Sequence, residues 1–229
     1  DSPSEFLAMI VIANFSLPQM PKTWWIPANG AAEVYQQFRS ASPKEKRAYV
    51  LWEPYVSKAR AIPGAHVLVD SSRLKGFIID VLVCQREFLV KEYGTAKAVV
   101  EAYARAAYFY NSSADKMVDL VIQDAKATDS EKLTRSLAEQ IVKGVQWKNT
   151  VENYVHFRLV PESQAQGLEL LEDSVTKIAG ILVNTGVMKD DPLKGRANSL
   201  FYDRILREMK AEGFHPARPV NLLSAQGLV

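Results

Sequence analysis

Two acidic residues interrupt apolar stretches of this sequence, and their positions could serve chemistry. Glu53 follows the apolar and aromatic run 48–52, and Asp80 interrupts the apolar run 77–84. A carboxylate in such a setting is costly unless it is paired, hydrogen-bonded or facing a cleft. The two could act as general acid and base or hold an amine, and Trp52 could stack on a flat or cationic group. The structural alternatives are Trp52 in the core, Glu53 as a helix cap and Asp80 in a salt bridge.

The first residues of the chain carry hydroxyl groups suited to holding an anion. Ser2 has Pro3 after it and Glu5 three positions on, which is the spacing of a capping box. The helix that this predicts, ending near Asn14, would present free backbone N–H groups with the hydroxyls of Ser2 and Ser4 at its N-terminus. The alternative is that these residues only cap a core helix, and Glu5 would oppose a strongly charged anion.

Composition argues against several classes of partner and site. The net charge of +2 over 229 residues makes no electrostatic case for nucleic acid or an anionic membrane. No apolar stretch is long enough for insertion across a bilayer. The single cysteine, Cys84, excludes an intrachain disulfide, and its apolar neighbours predict a buried thiol. The three histidines lie far apart, so we expect neither a metal site nor a cofactor.

Strand-like segments alternate with helical ones in the first part of the chain. Pro54 ends the run before it, because proline cannot donate to a strand ladder and disfavours helical conformation in its predecessor. Trp52 and Glu53 would then lie at the carboxyl end of a strand, where ligands bind in open α/β sheets. The predicted strands are residues 23–27, 48–52, 65–70 and 77–84. This alternation predicts a largely parallel sheet covered on both faces.

The second part of the chain is predicted to be almost entirely helical. Its apolar residues recur at helical spacing, and strand signals nearly vanish beyond residue 112. The predicted helices of the whole chain are residues 3–14, 31–38, 55–61, 86–93, 95–111, 114–126, 130–144, 150–157, 166–186 and 198–212.

Four short motifs follow one another in a recognisable order. They are Asn29-Gly30-Ala31-Ala32, Val50-Leu51-Trp52-Glu53-Pro54-Tyr55, Val67-Leu68-Val69-Asp70-Ser71 and Arg86-Glu87-Phe88-Leu89. Their order and spacing resemble the solute-binding proteins of ABC importers, and most closely the nitrate, sulfonate, taurine and thiamine-precursor group. The resemblance covers residues 1–110 well.

This resemblance implies an α/β fold of the two-lobe, type II periplasmic-binding-protein kind. Residues 1–76 would form an α/β ligand-binding lobe with a parallel or mixed sheet. Residues 77–229 would supply the strand that returns through the hinge and a mainly helical part of the other lobe. On the order of 100 further residues before Asp1 would carry the first lobe's sheet.

The resemblance also implies a ligand site in the cleft between the two lobes. Its residues in this chain would be Ser2, Ser4, Glu5, Asn29, Trp52, Glu53, Asp80, Trp147 and Asn149. Hydroxyls and N–H groups could hold an oxyanion, whereas Glu53 or Asp80 could hold an amine. An anion, a zwitterion and a cation therefore all stay open as the ligand.

The implied function is that of an extracytoplasmic solute-binding protein, periplasmic or extracellular, which closes on a small polar molecule and performs no catalysis. Its partners would be that small-molecule ligand and an ABC transporter permease. Two alternatives stay open: an enzyme on the same fold acting on a small metabolite, and a non-transport binding or scaffold module of a larger envelope protein. Turnover would favour the enzyme, and saturable binding without turnover the solute-binding protein.

Overall fold

The computed structural model describes residues 2–15, 24–74, 76–127, 133–164 and 167–218. Its α-helices are α1 (Pro3–Asn14), α2 (Ala31–Ser40), α3 (Tyr55–Arg60), α4 (Arg86–Lys91), α5 (Tyr93–Asn111), α6 (Ala114–Ala127), α7 (Arg135–Gly144), α8 (Thr150–His156), α9 (Leu171–Asn184) and α10 (Arg204–Ala211). Short 3₁₀ turns occur at Ser71–Arg73, Glu162–Gln164 and Ala197–Leu200. No helix in these ranges is long and apolar enough to cross a membrane.

The predicted two-lobe α/β fold is wrong, because the described ranges contain no β-strand. The four segments predicted as strands are present as irregular chain, apart from Thr23, which lies outside the described residues. No backbone hydrogen bond joins one of these segments to another. Strand propensity measures how well residues fit a pleated surface, but a strand exists only where a neighbouring backbone supplies ladder partners.

The unpaired segments leave apolar side chains in solvent. Leu68 is 78% exposed and Val83 is 86% exposed. Cys84 is also exposed, so the predicted buried thiol is wrong. Its burial was inferred from apolar sequence neighbours, and those neighbours are themselves on the surface.

Most helix predictions are confirmed, with changes at the boundaries. α1 spans the predicted range, with Pro3 in its first turn and the Ser2 side chain accepting the Glu5 N–H at 3.2 Å. α9 begins at Leu171, because residues 167–170 are not helical, and residue 166 lies outside the described ranges. α7 begins after its N-cap Thr134, and residues 130–132 are also outside. The predicted helix 198–212 is split between a 3₁₀ turn and α10.

The larger hydrophobic core lies between α5, α8 and α10. Small side chains on α5, Ala96 and Ala104, allow α10 to pack closely against it. Met209 of α10 is fully buried there, and Tyr154 of α8 and Leu159 complete the contact. A capping box between Asn149 and Glu152 starts α8, so the helix that carries Tyr154 begins at a defined residue.

A smaller core joins the beginning of the chain to its last third. Ile10 and Met9 of α1 pack against Ile181 of α9, and all three are buried. Partly buried residues around them, including Trp24 and Phe77, extend the cluster. This core therefore holds together residues from both of the regions that the sequence predicted, 1–76 and 77–229.

Gly76 lies where a side chain would not fit. Its φ of 79° is in the left-handed region, and an added Cβ would lie against the Glu169 carboxylate and 3.1 Å from the Ser174 hydroxyl. The carboxylate is held by a 2.7 Å ion pair with Lys177. We therefore expect Gly76→Ala to lower the free energy of unfolding by about 1–2 kcal/mol, measured by urea denaturation.

Gly180 provides the control for this substitution. It lies within α9, and an added Cβ would meet nothing within 4 Å. Gly180→Ala should raise the free energy of unfolding by up to about 1 kcal/mol, because alanine favours a helix. Equal effects of the two variants would contradict the tight packing around Gly76.

Candidate functional site

The residues predicted at the start of α1 serve its N-terminus. The Ser2 hydroxyl accepts a hydrogen bond from the Glu5 N–H. This contact is the helix cap that the sequence left open as the alternative to an anion site. Ser4 and Glu5 lie in the first turn of the same helix. An anion at this position stays a prediction.

Glu53 also performs a local structural task. Its carboxylate accepts the Ser57 N–H at 3.2 Å and the Ser57 hydroxyl at 3.0 Å, which ties the start of α3 to the residue before Pro54. The Ser57 hydroxyl is also 3.0 Å from Gln140 Oε1, a contact that links α3 to α7. Trp52 is 49% exposed, so the alternative that places it in the core is wrong.

The remaining predicted residues have contacts or surroundings of their own. Asp80 is exposed, and no hydrogen bond or ion pair joins it to Glu53. The Asn29 N–H donates to Glu33 at the start of α2. The Asn149 side chain is occupied by the capping box of α8. The Trp147 carbonyl accepts the Asn111 amide at 3.2 Å. Asn29, Trp147 and Asn149 thus make local contacts, and no hydrogen bond or ion pair of the described residues joins them or Asp80 to Glu53.

An open surface cavity that sequence reasoning did not single out lies in the chain that follows α3, and most of its lining side chains are exposed to solvent. It has a volume of about 710 Å³ and is lined by Arg60, residues 65–70 and Arg73. All of these residues fall within the stretch 60–73, so local turns shape the cavity. Arg60 is the last residue of α3, and Arg73 is the last residue of the Ser71–Arg73 turn.

Two turns bring the ends of this stretch to the same cavity. After α3, the Ala65 N–H donates to the Ile62 carbonyl at 3.0 Å, and Gly64 between them has a φ of 84°, which favours glycine. Asp70 then caps the 3₁₀ turn, with its Oδ1 accepting both the Ser72 N–H and the Ser72 hydroxyl. The cap orients the turn that carries Arg73.

The lining carries charges of both signs. Arg60 and Arg73 are exposed, and neither has an ion-pair partner in the described part of the chain. The pKa of the Asp70 carboxyl lies below its usual value, chiefly because the Ser72 hydroxyl donates to it. The positive charges of Arg73 and Arg60 add to this effect, which outweighs partial burial, so Asp70 is ionised at neutral pH.

The nucleophilic and basic side chains at this cavity make hydrogen bonds of their own and are not paired with each other. His66 Nδ1 lies 3.4 Å from the Gly64 carbonyl, and its Nε2 has no described partner. The hydroxyl of Ser72 donates to Asp70 and is not hydrogen-bonded to His66, so no nucleophile–base pair is set up. No group of three or more metal-binding side chains occurs among the described residues.

The sequence does contain a signal for this cavity, although none of the nine predicted site residues lines it. Arg60, His66, Asp70 and Arg73 flank the turn formed by Pro63 and Gly64. A dense set of charges around a turn is common on solvated surfaces, so the pattern alone does not distinguish a site. Comparison with models of protein families, with curated proteins and with solved structures found no match to this chain.

Proposed function

We propose that this protein reversibly binds a small organic anion in the cavity next to α3 and does not transform it. The observation that carries the proposal is that two guanidinium groups, Arg60 and Arg73, line one cavity, and neither forms an ion pair with an acidic residue of the described ranges. Guanidinium presents a planar fork of donors that matches carboxylate, sulfonate and phosphate groups.

The size and the apolar part of the lining favour an organic molecule. The volume of about 710 Å³ falls within the range of about 300–1,000 Å³ of small-molecule sites. Val67, Leu68 and Val69 lie between the charged residues and offer hydrophobic contact. A solute with an anionic group on a short carbon chain would therefore use both parts of the lining.

Binding without chemistry is also what the family resemblance implied, although the proposal does not need a two-lobe fold. Delivery of the solute to an ABC transporter permease, and a periplasmic or extracellular location, are proposed with it as the physiological setting. The charge and shape of the cavity support the binding step. The physiological setting is supported only by the resemblance of residues 1–110 to solute-binding proteins.

Isothermal titration with butyrate, propanesulfonate and propylphosphonate tests the proposal. Arg60→Gln and Arg73→Gln should each lower the affinity for the tightest-binding of these ligands by about tenfold, because each removes one charge-assisted contact at an exposed site. The control is Arg86→Gln, which makes the same change of charge at an exposed arginine outside the cavity. It should leave the affinity unchanged.

Two results would contradict the proposed function. One is the absence of binding by these three anions and by their amino-terminated analogues, and the other is equal affinity of both cavity variants and the wild type. Incubation of the bound ligand with the protein, followed by NMR of the solution, checks for chemistry. Formation of a product would favour the enzyme alternative.

A further inference from the structure

The Asp70 carboxylate is an unexpected group in a site for a simple anion. It is ionised, and it lines the same cavity as Arg60 and Arg73. A negative charge there repels an anionic ligand and partly cancels the attraction of the guanidinium groups. A site selected only for anions would be stronger without it.

The carboxylate also keeps bonding capacity for a ligand. Both hydrogen bonds from Ser72 go to Oδ1, so Oδ2 has no described partner. Arg60 and Arg73 are near enough to lower the pKa of Asp70, yet neither forms an ion pair with it. Opposite charges thus line one cavity without neutralising each other directly.

We propose that the solute is a zwitterion, with its anionic group held by Arg60 and Arg73 and its ammonium group held by Asp70 Oδ2. This inference rests on the proposed function, because it names the class of molecule that the same cavity takes. An ammonium group turns the carboxylate from a repulsive neighbour into a charge-assisted acceptor. The apolar residues 67–69 then contact the short aliphatic chain between the two charges.

Matched pairs of ligands test this inference directly. Each pair differs only in a terminal amine: γ-aminobutyrate against butyrate, 3-aminopropanesulfonate against propanesulfonate, and 3-aminopropylphosphonate against propylphosphonate. By isothermal titration, the wild-type protein should bind the zwitterion of the best pair at least about tenfold more tightly than its amine-free partner.

Two variants assign the effect to the carboxylate. Asp70→Asn keeps an oxygen for the Ser72 hydrogen bonds but loses the charge, so the preference for the zwitterion should disappear while the amine-free anion binds at least as tightly as before. Ser72→Ala keeps the charge and removes only the hydroxyl contact, so it should retain the preference. Thermal melts confirm that both variants are folded.

The outcomes separate the failure of this inference from the failure of the proposed function. Equal affinity of the wild type for both members of every pair would overturn the zwitterion while leaving anion binding in place. A preference that persists in Asp70→Asn would place the ammonium group elsewhere and overturn the assignment. If none of the six ligands binds, the proposed function fails and this inference fails with it.

Discussion

Met209→Ala should lower the free energy of unfolding by about 2–5 kcal/mol. Met209 is fully buried in the larger core, where α10 packs on α5. Truncation removes apolar contact and leaves a cavity, and the methyl side chains of Ala96 and Ala104 in the same core are too short to fill it. Urea denaturation followed by circular dichroism measures the loss.

The chain offers a matched control for this substitution. Met188 is 36% exposed and lies after the end of α9. Met188→Ala removes the same atoms without creating a buried cavity, so the free energy of unfolding should stay within about 0.5 kcal/mol of the wild type. If the two methionine variants are equally destabilised, Met209 is not part of a packed core.

Ile10→Ala should have an effect of similar size, about 2–5 kcal/mol, in the smaller core. Ile10 of α1 has no exposed surface and packs with Met9 against Ile181 of α9. Because this contact joins the beginning of the chain to its last third, its loss should also free α1 from the rest of the protein. Relative to the wild type, amide hydrogen exchange in the variant should then accelerate more in α1 than in α5, which would show this release.

Ile26 is the control for that variant, since its side chain is 63% exposed. Ile26→Ala should change the free energy of unfolding by no more than about 0.5 kcal/mol. The two cores share no residue, so their substitutions should act independently. In a double variant that combines Met209→Ala with Ile10→Val, a milder change than Ile10→Ala, the losses in free energy of unfolding should add to within about 0.3–0.5 kcal/mol. A larger coupling would mean that the cores form one unit. An Ile10→Ala protein as stable as the wild type would contradict the packing of Ile10 in the smaller core.

The sequence by itself determined the features that depend on a few neighbouring residues. Ser2 and Pro3 start α1, because a side-chain cap and a preset φ act within the first turn. The long helices α5 and α6 follow from the spacing of apolar side chains, which repeats within one element. Even here the boundaries moved, as at α9, where non-helical residues before Leu171 delay the start.

Tertiary structure decided whether the strand-like segments became strands. Residues 77–84 have the composition of a buried strand, but composition cannot supply the second backbone that a ladder requires. Without that partner, Val83 and Cys84 are exposed and the α/β expectation is wrong. Pairing is a non-local property, so a pattern along one segment cannot determine it.

The candidate site was decided in the same way. Glu53 and Asp80 were notable because their sequence neighbours are apolar, but Glu53 is occupied by Ser57 and Asp80 is in solvent. Arg60 and Arg73 are unremarkable in sequence, and they are the candidate because two turns place them at one cavity and no acidic residue in the described part of the chain forms an ion pair with either. The charge of a side chain is set by its type, whereas the partner that neutralises it, or the lack of one, is set by how the chain folds around it.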